Sequence, residues 1–352
     1  MLHPSEGPAA PPADDLGAIR FRRVRDVSDV LNTTFAFLRE NFRELGLGLL
    51  TIAGPPLLLV ALASSYVLGM VMNPEALMPD PAATPDELLS GPFGELIVGY
   101  FGLAVLAMVG FLLLYAVGYA YVRLYREGLA GEITPGVLWG AARRVIGPIL
   151  GTSVVLTVVV FLSALVNVIP CLGTLAWLAG LVYAMPIFTL LYVARLFEGR
   201  GLGDGLRRTR TLMQGRWGPS FGIVAISLII AWVIQTALSF PTSMALMGYM
   251  MNSLEGEGSS LGTGQRVLMA FGSVLSALGY FAFMIPLVAS VFQFFSLVEQ
   301  KEGAALLEEI EAIGRETDLA PAEPRRPAAP PSGTTAPGDD EDLSRGFGRT
   351  EG

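Results

Sequence analysis

The chain is short of the residues that most often do chemistry. Among its 352 residues there is one histidine, His3, and one cysteine, Cys171. That inventory excludes a His/Cys metal cluster, a Ser-His-Asp triad and an intrachain disulfide. Charge is scarce as well. Asp, Glu, Lys and Arg make up 15% of the chain, against about 25% in a soluble domain. Hydrophobic residues make up 52%, which leaves a soluble fold too little polar surface to stay dissolved.

What is present comes in long apolar runs. A helix needs about 20 apolar residues to cross roughly 30 Å of hydrocarbon. Six runs qualify: Gly46–Met72, Leu96–Tyr121, Ile149–Val168, Leu172–Tyr192, Ser220–Phe240 and Val267–Leu297. Lipid offers backbone groups no partner, so each run is expected to be a helix. The runs do not alternate as barrel strands would. The expected fold is an all-α, six-span membrane domain over residues 18–314. Residues 1–17 and 315–352 are Pro- and Ala-rich, with an acidic run at Asp339–Asp342, and read as disordered tails. Residues 1–17 have no apolar core, so no cleavable signal is expected there.

Arginine sets the expected orientation. Segments 18–45, 122–146 and 195–217 carry 16 Arg against 8 acids. The intervening loops at Asn73–Glu95 and Pro241–Arg266 carry seven acids against Arg266 alone, and Pro170–Gly173 carries no charge. The positive-inside rule therefore places both termini in the cytoplasm. The net charge of −8 belongs to the tails and the outer loops, while the inner membrane face is basic.

Each pair of spans has an amphipathic lead-in, over 27–45, 135–147 and 204–216, and a further short helix is expected over 301–313. In the first, Val27, Leu31, Phe35, Leu38, Phe42 and Leu45 recur at helical spacing, after an N-cap at Asp26. In the second, Thr134-Pro135 starts a helix whose stripe is Leu138, Ala141, Ala142, Val145 and Ile149. In the third, Leu206, Met213, Trp217 and Phe221 share a face, with Arg207, Arg208 and Arg210 on the first turns. Lead-in, span, span thus recurs as three degenerate repeats.

Few residues are candidates for a site. The spans hold no Asp, Glu, His or Lys near mid-depth, which argues against proton or sodium coupling. Gln235 and Gln293 are the deepest strongly polar groups, read as interhelical hydrogen bonds ahead of a transport site. Pro55-Pro56, Pro186 and Pro286 read as kinks ahead of a broken-helix site. Gly272, Ser276 and Gly279 form a small-residue face, suited to internal packing or to a homo-oligomer seam. Cys171 reads as a small apolar residue at the membrane edge, with an intermolecular disulfide as the alternative. Arg143, Arg144, Arg207, Arg208 and Arg210 are the candidate interface for anionic lipids, beside their role in topology. No catalytic residue, cofactor or metal is expected, and no nucleic acid.

The stretches DVSDVLNTTFAFLRENFREL (Asp26–Leu45), LGDGLRRTRTLMQGRW (Leu202–Trp217) and SLVEQKEGAALLEEIEAIG (Ser296–Gly314) resemble uncharacterised bacterial polytopic membrane proteins. These are related to the membrane domain attached to some glycerophosphoryl diester phosphodiesterases. The resemblance implies architecture over about Val27–Gly314. It implies no activity, because the phosphodiesterase site needs clustered histidines and metal-binding carboxylates that this chain lacks. The functional expectation is a non-enzymatic accessory or scaffolding protein of the inner membrane. The alternative is an uncoupled transporter or permease for a small molecule or lipid.

Overall fold

A computed structural model of the chain describes residues 19–71, 84–169, 171–254 and 263–303. The expected tails with His3, and the part of the 301–313 helix beyond Gly303, lie outside these residues. Among the described residues every regular element is helical. Six helical segments are long and apolar enough to cross a membrane, and the protein is an all-α polytopic membrane protein.

The chain opens with α1 (Val27–Glu40), capped by Asp26, whose carboxylate accepts the Asp29 N–H at 2.8 Å. That hydrogen bond holds the Asp26 carboxyl below the usual carboxylate range. The first lead-in is not one helix. It breaks at Asn41 and resumes as α2 (Phe42–Gly48). A π-helical turn at Leu49–Ala53 then feeds α3 (Gly54–Val71). Pro55 and Pro56 fall in the first turn of α3, directly after the π-helical turn. The buried face of the first lead-in also differs from expectation. Val30, Thr34, Phe37, Asn41 and Leu45 point inward, while Phe35 is 42% and Phe42 75% exposed. Apolar residues on both sides of this helix make its hydrophobic stripe ambiguous in sequence. Packing selects the side with Phe37, where Thr34 satisfies its hydroxyl on the Val30 carbonyl.

A short helix, α4 (Pro85–Ser90), is closed by a reciprocal capping box between Thr84 and Glu87. The span helices follow: α5 (Pro92–Arg126), α6 (Pro135–Ser163), α7 (Leu172–Phe197), then the surface helix α8 (Leu202–Met213), and α9 (Trp217–Leu254). The second lead-in is continuous with its span, and Pro148 sits inside α6. Its predicted stripe is correct in Leu138, Ala142, Val145 and Ile149, all buried. The third lead-in is a separate helix, as expected, but it buries Gly205, Thr209, Leu212 and Met213 and leaves Leu206 outside. At 38 residues, α9 runs far past the expected end at Phe240 and reaches about 57 Å. Pro241 stays within it, because the turn around Thr242 packs closely on the last span.

That last span is two helices. Helix α10 (Thr263–Gly279) meets a 3-10 turn at Tyr280–Phe283, and α11 (Met284–Val298) restarts with Pro286 in its first turn. All 15 residues of α11 are buried. It is the axis of the bundle, enclosed by α1, α5, α7, α8 and α9. The end of the bundle bearing Arg25, Arg126 and Arg195 is here termed the basic end. The far half of the α6–α7 hairpin has the opposite character. From Ser153 to Met185, Gly173 is the one buried residue among those described.

Helices α9 and α10 approach too closely at one point for any side chain. A Cβ on Gly272 would lie 2.5 Å from the Thr242 backbone nitrogen. Replacing Gly272 with Val is expected to cost about 1–3 kcal/mol through overpacking and to lower the thermal midpoint in detergent. Gly102→Ala, where the added Cβ meets nothing within 4 Å, is expected to leave the midpoint unchanged or slightly raised.

Candidate functional site

Aromatic rings close the basic end around cations. The Arg126 guanidinium, from the last turn of α5, lies 4.5 Å from the Phe295 ring centroid, 5.6 Å from Phe197 and 5.8 Å from Phe21. These rings come from α11, α7 and the segment before α1. Phe21 also stacks on Phe292 at 5.0 Å, and Arg25 lies over the Phe292 ring at 5.3 Å. The Arg25 backbone N–H donates to Ser296 Oγ at 2.9 Å. One turn away, the Tyr121 hydroxyl donates to Asn41 Oδ1 at 2.9 Å. The Asn41 amide in turn donates to the Phe37 carbonyl at 2.8 Å. Asn41 therefore breaks the first lead-in, caps α1 and receives α5.

The five arginines predicted to meet anionic lipid divide into two groups. Arg207 pairs with Asp204 at 3.3 Å. Arg208 pairs with Glu198 at 3.1 Å and with Glu302, and Arg200 joins the same Glu198. Burial opposes the Arg208 charge, but the two carboxylates more than restore it and raise its pKa. Arg143 lies over Trp139 at 5.8 Å. Arg143, Arg144 and Arg210, together with Arg216, which the sequence reading did not single out, have no ion-pair partner among the described residues. Arg195 bridges α7 to α6, donating to the Pro148 carbonyl at 3.1 Å and to Thr152 Oγ1.

Between α5, α6, α7, α9 and α11 lies a cavity of about 340 Å³. Most of its wall is apolar, including Phe111, Leu112, Leu150, Phe188 and Leu287. Its polar groups are hydroxyls. Ser153 and Tyr192 share a hydrogen bond of 2.8 Å. Thr189 donates to the Met185 carbonyl. The Tyr115 hydroxyl has no hydrogen-bond partner among the described residues. Tyr115 stacks on Tyr119, one helical turn along. Met108, which borders the cavity, is 51% exposed, and Val105 and Val109 beside it on α5 are exposed too, so at Met108 the cavity borders the apolar outer surface. Such a chamber favours an uncharged or amphiphilic guest: hydroxyls orient a polar group, and the rest of the wall takes hydrocarbon. Its volume is at the small end of the usual ligand range of about 300–1,000 Å³.

The two glutamines have different fates, and neither lines the cavity. Gln235 makes the expected interhelical contact, donating from α9 to the Ser276 carbonyl of α10 at 3.3 Å and to Ser239 at 3.1 Å. Gln293 is 2% exposed in α11, and neither the oxygen nor the nitrogen of its amide has a hydrogen-bond partner among the described residues. Gly272, Ser276 and Gly279 pack against α9 of the same chain, at Thr242, Ser239 and Gln235. Their small size thus serves a contact within the chain. Cys171 is exposed, with φ 60°, at the turn into α7. Among the described residues no group of three or more His, Cys, Asp or Glu side chains could hold a metal.

Sequence reasoning missed the tyrosines of the cavity, because tyrosine counts as apolar in a hydrophobic run. The available signal was Tyr115 and Tyr119 at i and i+4, which places both on one face of their helix. No protein-family model matches the chain, and no curated protein or solved structure is similar to it. The ring cage itself is testable. Arg126→Lys replaces a planar cation that faces three rings with a compact ammonium, and the thermal midpoint is expected to fall by the equivalent of about 1–2 kcal/mol.

Proposed function

We propose that this is a non-enzymatic membrane protein that takes up an amphiphile from the bilayer, a lipid-handling protein of uncoupled permease type. The observation that carries this reading is the cavity beside α11, bordered at Met108 by apolar outer surface and furnished with hydroxyls at Tyr115, Ser153 and Tyr192. A chamber beside lipid-facing surface suits a guest that already resides in lipid. The Tyr115 hydroxyl is free to receive its polar group, and the apolar wall receives a hydrocarbon segment. Ser153 pairs with a tyrosine and not with a base, which suits binding better than nucleophilic chemistry. The arginines gathered at the basic end support an orientation with that end in the cytoplasm, in keeping with the expected bacterial inner membrane.

An accessory or scaffolding role is the second reading. It is favoured by the far half of the α6–α7 hairpin, whose side chains are exposed from Val154 to Tyr183 apart from a few half-buried positions and Gly173. An arm of that kind suits lateral contact with another membrane protein.

Mass spectrometry of the purified protein in lipid nanodiscs distinguishes the two. The wild type is expected to retain a bound amphiphile after stringent washing, and Leu112→Trp, which fills the cavity, is expected to release it. Tyr115→Phe is expected to weaken retention about fivefold, the loss of one hydrogen bond. If Leu112→Trp folds and keeps the wild-type complement of bound molecules, the cavity is not the site and the scaffolding reading takes precedence.

A further inference from the structure

A second site lies at the turn between α8 and α9, away from the cavity. The chain reverses there through Gln214, Gly215 and Arg216, with Gly215 at φ 78°. Two clefts flank the turn and share Gln214 and Gly215. One, of about 230 Å³, is walled by Arg210, Tyr183 and Trp217. The other, of about 240 Å³, is walled by Arg216, Gln300 and Lys301. Among the described residues no carboxylate lines either cleft.

The neighbouring charges make this unusual. Along the same basic face, Arg200, Arg207 and Arg208 are neutralised by Glu198, Asp204 and Glu302. Arg210, Arg216 and Lys301 have no carboxylate partner among the described residues, and Lys301 donates to the Thr211 carbonyl at the end of α8. Three cations are thus gathered around one turn without a counter-charge, where the surrounding protein supplies one for every other cation of that helix. A diffuse basic belt for topology needs no such concentration and no clefts.

Aromatic residues fix the depth of the turn. The Trp217 indole stacks on Tyr183 at 5.8 Å and on Phe221 at 5.2 Å, and its Nε1 donates to the Tyr183 carbonyl at 3.1 Å. Stacked Trp and Tyr are characteristic of the headgroup level of a bilayer. Exposed apolar side chains continue from this stack along both helices, Leu178 and Val182 on α7, and Ile226 and Ile229 on α9. Cations, then aromatics, then hydrocarbon surface is the order of groups along a phospholipid.

We propose that the α8–α9 turn binds the phosphate of an anionic phospholipid, with Arg216 and Lys301 around the phosphate in their shared cleft, Arg210 adding positive charge from the cleft across the turn, and Gln214 as an additional hydrogen-bond donor. The acyl chains lie against the exposed faces of α7 and α9. This assignment is independent of the amphiphile cavity.

The test uses the full chain in detergent, delipidated and then titrated with phosphatidylglycerol or phosphatidylcholine, with bound lipid counted by native mass spectrometry. The wild type is expected to bind phosphatidylglycerol at least tenfold more tightly than phosphatidylcholine. Each of Arg210→Gln, Arg216→Gln and Lys301→Gln is expected to lower phosphatidylglycerol binding about fivefold. Arg207→Gln and Arg144→Gln are expected to leave it unchanged. Arg210→Lys with Arg216→Lys keeps the charge and is expected to retain most of the binding, which separates lost charge from lost fold. Leu112→Trp, which tests the cavity, is expected to have no effect here. Equal loss in Arg144→Gln overturns the site in favour of a diffuse belt. Displacement of the lipid by millimolar glycerol phosphate overturns the lipid assignment in favour of a soluble phosphate ester.

Discussion

The contact on which the arrangement depends is the guanidinium of Arg126 among three phenyl rings. Phe21, Phe197 and Phe295 belong to the leading segment, α7 and α11, so one side chain of α5 joins four stretches of chain. Each cation–π contact contributes about 0.5–2 kcal/mol, more when water is kept out. The larger effect is geometric. With the rings in place, α11 cannot slide or rotate, and its first turn is fixed at the level where Pro286 and Leu287 form part of the cavity wall. The shape of the chamber therefore depends on a cluster at the end of the bundle. Tyr121, Asn41 and Glu44 add a second tie between α2 and α5 on the same level.

Polarity is distributed by function across the molecule. Inside the bundle it is carried by hydroxyls and amides, which can be buried without an unpaired charge. At the basic end it is carried by arginines, and these fall into two groups: those held in ion pairs, which position α8 against the turn after α11, and those left without a counter-charge. Pairing Arg208 with both Glu198 and Glu302 brings Gln300 and Lys301 beside Arg216. The neutralised arginines thus build the surface on which the others are presented.

The six spans, the basic end and the separate α8 are legible in the sequence, because length, composition and arginine position depend on the solvent and not on tertiary detail. The stripe Leu138, Ala142, Val145, Ile149 is legible for a related reason: its opposite face carries Arg143 and Arg144, so only one side can be buried. The first lead-in is not. Leu31 and Phe35 are as apolar as Val30 and Phe37, and only the aromatic partners Tyr121, Tyr125 and Phe292 decide between the two faces. The break at Asn41 depends on a hydroxyl 80 residues away in the chain. The length of α9 escapes for the same reason: Pro241 reads as a terminator until Gly272 is placed beneath Thr242. Of the cavity, the sequence concealed the tyrosines within runs that score as apolar.

The position of α11 along the chain has a consequence for biogenesis. The helix at the axis is the last of the six to be synthesised, and its partner Arg25 is separated from Ser296 by 271 residues. Five spans must enter the membrane and wait around an axis that does not yet exist, with the inward faces of α1, α5, α7 and α9 covered by lipid, by water or by other proteins. Closure is then a single late event, in which the arrival of one fifteen-residue helix displaces those temporary occupants and brings the two ends of the bundle's chain together. A ribosome stalled before Met284 would leave a nascent protein with most of its spans inserted and no interior.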